Sequence, residues 1–101
     1  MRVIVFFDLP TLTVADRKNY RSFRKYLLKT GYIMLQFSVY SKLCINKATA
    51  DLAIKDLREH SPSEGLVQTI ILTEKQYASI EYISGCFSSN IIDTIERVVV
   101  L

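Results

Sequence analysis

Asp8 is the first residue in this chain whose type and place suggest chemistry. It ends the apolar run Val3-Ile4-Val5-Phe6-Phe7 and is followed by Leu9-Pro10. Asp is disfavoured in strands, and a Pro two residues on stops one. A carboxylate is therefore expected at the carboxyl end of a first strand, a frequent place for ligands in sheet proteins. A carboxylate is a hard oxygen donor suited to Mg²⁺. One Asp makes a poor catalytic site alone, but a two-fold axis would bring two together. The plain structural alternative is that Asp8 caps a turn or the next helix.

The second candidate is a set of cations on one segment. Arg17, Arg21 and Arg24 fall at helical spacing and line one stripe, with Lys18, Lys25 and Lys29 beside it. Arginine suits bidentate phosphate contact, and such contacts position nucleic acid without reading its sequence. Lys42 is a weaker candidate of the same kind. The net charge of +3 conceals an asymmetry. Residues 1–47 carry nine basic and two acidic side chains, a balance of +7, whereas residues 48–101 carry four and eight, a balance of −4. A basic half points to an anionic partner, nucleic acid above all. The alternative is a solvated helix face.

The elements that must position these residues can be read in order. Arg2–Phe7 reads as a strand. Thr13 with Asp16 three residues on is a capping box, opening a helix to about Lys29 that ends at Thr30-Gly31. Tyr20, Phe23 and Leu27 form its apolar face, widened by Tyr26 and Leu28. Tyr32–Cys44 is rich in strand formers but long for one strand, so a bulge or a tight hairpin is expected near Gln36–Phe37. Val39 and Ser41 would then face one way, Tyr40 and Lys42 the other. Asn46 caps a second helix, about Lys47–His60, with Leu52, Ala53 and Leu57 as its buried stripe. His60 is read as a helix-end residue. Leu66–Leu72 is a strand, Thr73-Glu74-Lys75-Gln76 a second capping box, and Arg97–Leu101 a terminal strand.

This order, β-α-β(β)-α-β with two helices, describes an α+β ferredoxin-like sandwich (βαββαβ), plus a short extra helix and a C-terminal strand. The 101 residues are expected to form one domain. Val98, Val99, Val100 and Leu101 would make a sticky edge unless paired, in cis or across a homodimer. Phe37 and Val39 are expected in the core or at that interface. Half the residues are hydrophobic. No apolar run reaches the roughly 18 residues of a membrane span, no signal peptide is visible, and Cys44 and Cys86 match no metal pattern. These features favour the cytoplasm and exclude a membrane partner. No Ser/His/Asp set, phosphate-binding Gly loop or zinc spacing is present.

The strand ending in Phe7-Asp8, the basic first helix, and Gly31-Tyr32-Ile33-Met34-Leu35-Gln36-Phe37-Ser38-Val39-Tyr40 together resemble the second core family of CRISPR-associated proteins. These are the small partners of the CRISPR integrase in spacer acquisition. The Gly-x4-Gln-x-Ser-Val-aromatic segment is the specific part. Ile-Met-x-Gln-Phe-Ser-Val-Tyr-Ser-Lys and Thr-Glu-Lys-Gln look most like members from single-effector systems. The resemblance spans essentially the whole chain and implies a ferredoxin-like fold and a symmetric homodimer. It implies Mg²⁺ at Asp8, shared across the dimer. It also implies two roles: bridging integrase dimers on duplex DNA, which is the leading expectation, and metal-dependent cleavage of single-stranded RNA or duplex DNA. Phe7 departs from the Tyr of many members, so a hydroxyl that assisted chemistry there would be missing. An interaction module without nucleic acid is the third expectation.

Overall fold

The computed structural model describes residues 1–85. Its elements are β1 (Arg2–Asp8), α1 (Val14–Lys29), β2 (Ile33–Gln36), β3 (Val39–Leu43), α2 (Lys47–His60), β4 (Leu66–Leu72) and α3 (Glu74–Ala78). The four strands form one antiparallel sheet in the order β2-β3-β1-β4. The terminal strand expected at Arg97–Leu101, with the interface residues Val98, Val99, Val100 and Leu101, lies outside the described residues. So does Cys86. Cys44 is a buried free thiol. Among the described residues no helix is long and apolar enough to cross a membrane.

Local chemistry sets the boundaries. The Thr13 hydroxyl accepts from the Asp16 N–H at 3.0 Å, and the Asp16 carboxylate accepts from the Thr13 N–H at 3.1 Å. Thr73 and Gln76 repeat this box at α3. Asn46 caps α2 by accepting from the Thr49 N–H at 2.9 Å. Each cap satisfies backbone donors that a helix start leaves orphaned. The break in the long strand segment takes both expected forms. A bulge shifts the β2–β3 register between Met34 and Gln36, and Phe37-Ser38 is a two-residue turn.

Strand alternation divides the sheet into two faces. Val3, Val5 and Phe7 point to the helices and join Leu9, Phe23, Leu27, Tyr32, Tyr40, Cys44, Ala50 and Leu57 in the core. Phe7 packs against Tyr20, Phe23 and Tyr40 with ring centroids 5.9, 5.1 and 5.7 Å away. Ile4, Phe6 and Asp8 point the other way, in register with Ser41 and Val39 on β3 and with Ile70, Gln68 and Leu66 on β4. α3 folds onto one end of that second face. Arg2 donates to Glu74 at 3.0 Å, the Arg2 guanidinium lies 4.3 Å from the Tyr77 ring centre, and Tyr77 reaches the Ser41 hydroxyl at 3.5 Å. Ile4 and Ser41 are buried there. Among the described residues the Asp8 end has no such cover.

Three expectations are corrected. Leu52 is not in the buried stripe of α2; it is 65% exposed, and Ala50 and Leu57 are the buried positions, with Ala53 and Ile54 partly buried. Ala50, Ala53, Ile54 and Leu57 share one helical face, while Leu52 lies about 200° around the axis from Ala50. Leu28 is 43% exposed and does not widen the core face of α1. Phe37 is no core residue: it stands at the hairpin tip, 80% exposed, which leaves the interface as its expected place.

Candidate metal and nucleic-acid site

Asp8 is the last residue of β1 and is exposed. Its backbone is fixed on both sides. The Phe7 N–H donates to the Ser38 carbonyl at 3.0 Å, and the β1–β4 ladder runs through the pair Asp8↔Leu66. The carboxylate itself forms no hydrogen bond or ion pair among the described residues. It therefore caps neither the following turn nor α1, whose cap is Thr13. It opens into a shallow pocket of about 180 Å³ bordered by Phe6, Phe7, Ser38, Val39, Leu66 and Gln68.

An exposed, unpartnered carboxylate on rigid backbone is a hard donor held ready for a hard cation. Among the described residues no group of three or more acidic, His or Cys side chains gathers to hold a metal. One chain thus offers one protein ligand. Mg²⁺ is commonly held by one or two carboxylates and keeps several waters, so Asp8 fits this ion, as a single ligand or as a pair.

The surroundings of Asp8 favour such pairing. On its face of the sheet, Phe6 is 39%, Ile70 47% and Leu66 55% exposed. An apolar sheet face rimmed by polar groups is the usual mark of an interaction surface. Val39, expected at the interface, is half-buried on this face beside Phe6.

Phe7 resolves a point left open by the sequence. Its ring lies among Tyr20, Phe23 and Tyr40, on the face opposite Asp8. A hydroxyl at position 7 would extend from a ring packed among these aromatics, although Phe7 also borders the Asp8 pocket. Gln36 is exposed and lines a separate groove of about 330 Å³ with Ile4, Phe6 and Ile80. Tyr40 is fully buried on the helix side. Of the polar trio near the hairpin, only Ser38 borders Asp8.

The basic candidates lie on α1 and β3. Lys18, Arg21, Arg24 and Lys25 are exposed and have no hydrogen bond or ion pair among the described residues. Arg17 is different: one guanidinium nitrogen donates to the Thr11 and Leu12 carbonyls, both at 3.1 Å. It braces the loop that leads from Asp8 to α1. Lys42 is half-buried, its ammonium 5.5 Å from the Tyr32 ring centre.

A cluster that sequence reasoning did not assemble ties α1 to α2. The Tyr26 hydroxyl donates to the Asp56 carboxylate, and the His60 ring stacks on Tyr26 at 4.4 Å between centroids. His60 Nδ1 pairs with the Asp56 carbonyl at 2.9 Å, as a helix-end residue should. Burial, reinforced by Asp56, pushes the Tyr26 hydroxyl above its ordinary range. Burial also pushes Tyr32 up to about 12. The signal was present, as i and i+4 spacing of Asp56 and His60, but its partner Tyr26 lies thirty residues away.

Comparison with known proteins locates this arrangement. Residues 1–80 match the family model described as CRISPR associated protein Cas2. A Treponema denticola protein named CRISPR-associated endoribonuclease Cas2 is 52% identical over 101 residues, covering all of both chains. A protein of that name from Streptococcus mutans is 45% identical, over all of this chain and 93% of its own. The crystal structure of Streptococcus pyogenes Cas2 at pH 6.5 superposes with a TM-score of 0.61 at 22% identity, covering 83% of this chain and 100% of that one. That likeness supports the ferredoxin-like fold.

Proposed function

This chain belongs to the Cas2 family of CRISPR-associated proteins, and we propose that it acts as a homodimeric, Mg²⁺-dependent endonuclease with Asp8 as metal ligand. The single observation that carries this reading is the Asp8 carboxylate: exposed, unpartnered, and set on backbone clamped by Ser38 and Leu66. The relatives named endoribonuclease make RNA the first substrate class to test.

The chain's own residues would divide the work. Mg²⁺, when bound, would supply charge stabilisation and a more acidic water. Asp8 would hold that ion, and the Ser38 carbonyl, accepting from the Phe7 N–H, ties down the strand end beside it. The open sheet face, through Phe6, Val39, Leu66 and Ile70, pairs two chains so that two Asp8 carboxylates meet. The cations of α1 hold the phosphate backbone. The domain is single; residues 91–101, expected to add to the dimer or to a partner's sheet, lie outside the described residues.

The test is cleavage of single-stranded RNA and duplex DNA with Mg²⁺. Asp8→Ala is expected to lose cleavage while keeping the wild-type circular dichroism spectrum and sedimentation coefficient. Equal cleavage by both proteins would refute the assignment.

A second reading has its own support. Lys18, Arg21, Arg24 and Lys25 are exposed and unpartnered, which suits binding without turnover: the dimer holds duplex DNA and bridges integrase dimers in the cytoplasm during spacer acquisition. Arg21→Ala is then expected to flatten the slope of log affinity against log salt by up to about two units per dimer. An unchanged slope removes Arg21 from the contact. Arg17 should affect this slope less, because part of its guanidinium is already engaged by the Thr11 and Leu12 carbonyls.

A further inference from the structure

We propose that Gly65 is a positioning residue for Asp8, holding the end of β1 where the carboxylate can satisfy a small, geometrically strict cation. The proposal rests on the metal reading of Asp8 given above.

Gly65 lies just before β4, in the turn that follows α2, with φ +94°. A Cβ there would stand 2.8 Å from the Asp8 carbonyl oxygen, 2.8 Å from Leu9 Cδ2 and 3.0 Å from Leu9 Cα. Real Cβ atoms do not approach this closely, so something would have to move. Two of the three atoms are backbone and cannot rotate aside.

The neighbourhood restricts where they can go. Leu9 is buried in the core. The strand is tied to the hairpin by the 3.0 Å bond from the Phe7 N–H to the Ser38 carbonyl, and to β4 by the Asp8↔Leu66 pairing. The strain is shared between the exposed Gly65 turn and the Asp8-Leu9 backbone that it presses on, so the end of β1 is pushed out of its native position. In a two-fold pair, any shift of Asp8 away from the axis changes the distance between the carboxylates by twice that shift.

Metal chemistry makes such a shift selective. Mg²⁺ demands near-ideal octahedral geometry at about 2.0–2.1 Å, whereas Ca²⁺ accepts flexible coordination at about 2.3–2.6 Å. A misplaced Asp8 should therefore harm Mg²⁺ binding more than Ca²⁺ binding. General destabilisation should weaken both equally.

The experiment counts free Mn²⁺ by electron paramagnetic resonance while Mg²⁺ or Ca²⁺ displaces it from the full-length protein. The proteins are wild type, Asp8→Ala, Gly65→Ala and Gly65→Asn, with Lys55→Gly as a destabilised control on the exposed side of α2. Asn tolerates positive φ better than Ala, so Gly65→Asn separates the added Cβ from backbone strain. All are compared at a temperature where circular dichroism matches the wild type. Both Gly65 variants are expected to lose about tenfold or more in Mg²⁺ affinity, the usual effect of disturbing the groups that orient a ligand. Their loss for Ca²⁺ should be clearly smaller, and Lys55→Gly should bind both ions like the wild type. Wild-type Mg²⁺ affinity in either Gly65 variant, or equal losses for the two ions, would overturn the role of Gly65 alone. No Mg²⁺ uptake by the wild type, or undiminished uptake by Asp8→Ala, would remove the metal reading and this proposal with it.

Discussion

The two faces of the sheet are built from alternate residues of the same strands, yet they do different work. The helix-covered face carries Val3, Val5, Phe7 and Tyr40, all buried and interlocked with α1 and α2. The other carries Ile4, Phe6 and Asp8. Among the described residues its Arg2 end is covered by α3, while its Asp8 end is open. The buried core lies on one face and the proposed chemistry on the other. A one-residue slip in β1 would exchange them, since every side chain would change sides. The β1–β4 pairing, continuous from Arg2↔Leu72 to Asp8↔Leu66, guards that register.

The largest effect that sharpens this contrast should come from Tyr40. Tyr40→Ala is expected to cost about 3–5 kcal/mol in urea unfolding, as deletion of a buried aromatic does. Leu66→Ala, on the open face, should change the unfolding free energy by less than about 1 kcal/mol at concentrations where chains are separate. It should instead weaken self-association. A Leu66 variant as unstable as the Tyr40 variant would break the division between the faces.

A smaller effect concerns a flaw in the buried face. The Tyr32 hydroxyl is buried with no hydrogen-bond partner among the described residues, and its pKa is pushed from 10.0 up to about 12. Removing an unsatisfied buried hydroxyl should help, so Tyr32→Phe is expected to raise stability at neutral pH by roughly 1 kcal/mol. The linkage sign is fixed by the direction of the shift. A raised folded-state pKa gives stability that is present below pH 10 and lost as pH rises towards 12. Unfolding followed between pH 9 and 12 should show a shallower alkaline decline in Tyr32→Phe. A steeper decline would mean that the folded protein lowers the Tyr32 pKa and does not raise it.

Much of this was legible in the chain. Capping boxes at Thr13 and Thr73 and the Asn46 cap announced three helix starts, because each is a local pairing of side chain and backbone. The strand-end position of Asp8 was equally local. What was not legible depends on contacts between distant segments. Leu52 was misassigned because hydrophobicity outweighed phase: Ala50, though small, sits where α2 meets the sheet. Nothing in Phe7-Asp8 says that one side chain enters the core and the other leaves it, until the sheet's covered face is known. The approach of Gly65 to Asp8, fifty-seven residues earlier, appears only in the fold. The docking of α3 through Arg2, Glu74 and Tyr77 was also invisible, being a meeting of the chain's start with its eighth decade. Arg2 holds the Glu74 carboxyl below the usual carboxylate range.

The measurement that tests the central claim most directly is the number of Mg²⁺ ions bound per chain, by titration calorimetry on wild type and Asp8→Ala. Two Asp8 carboxylates meeting across the open sheet face predict one ion for every two chains, absent in Asp8→Ala. One ion per chain, or binding that survives the substitution, would contradict the pairing of the two carboxylates.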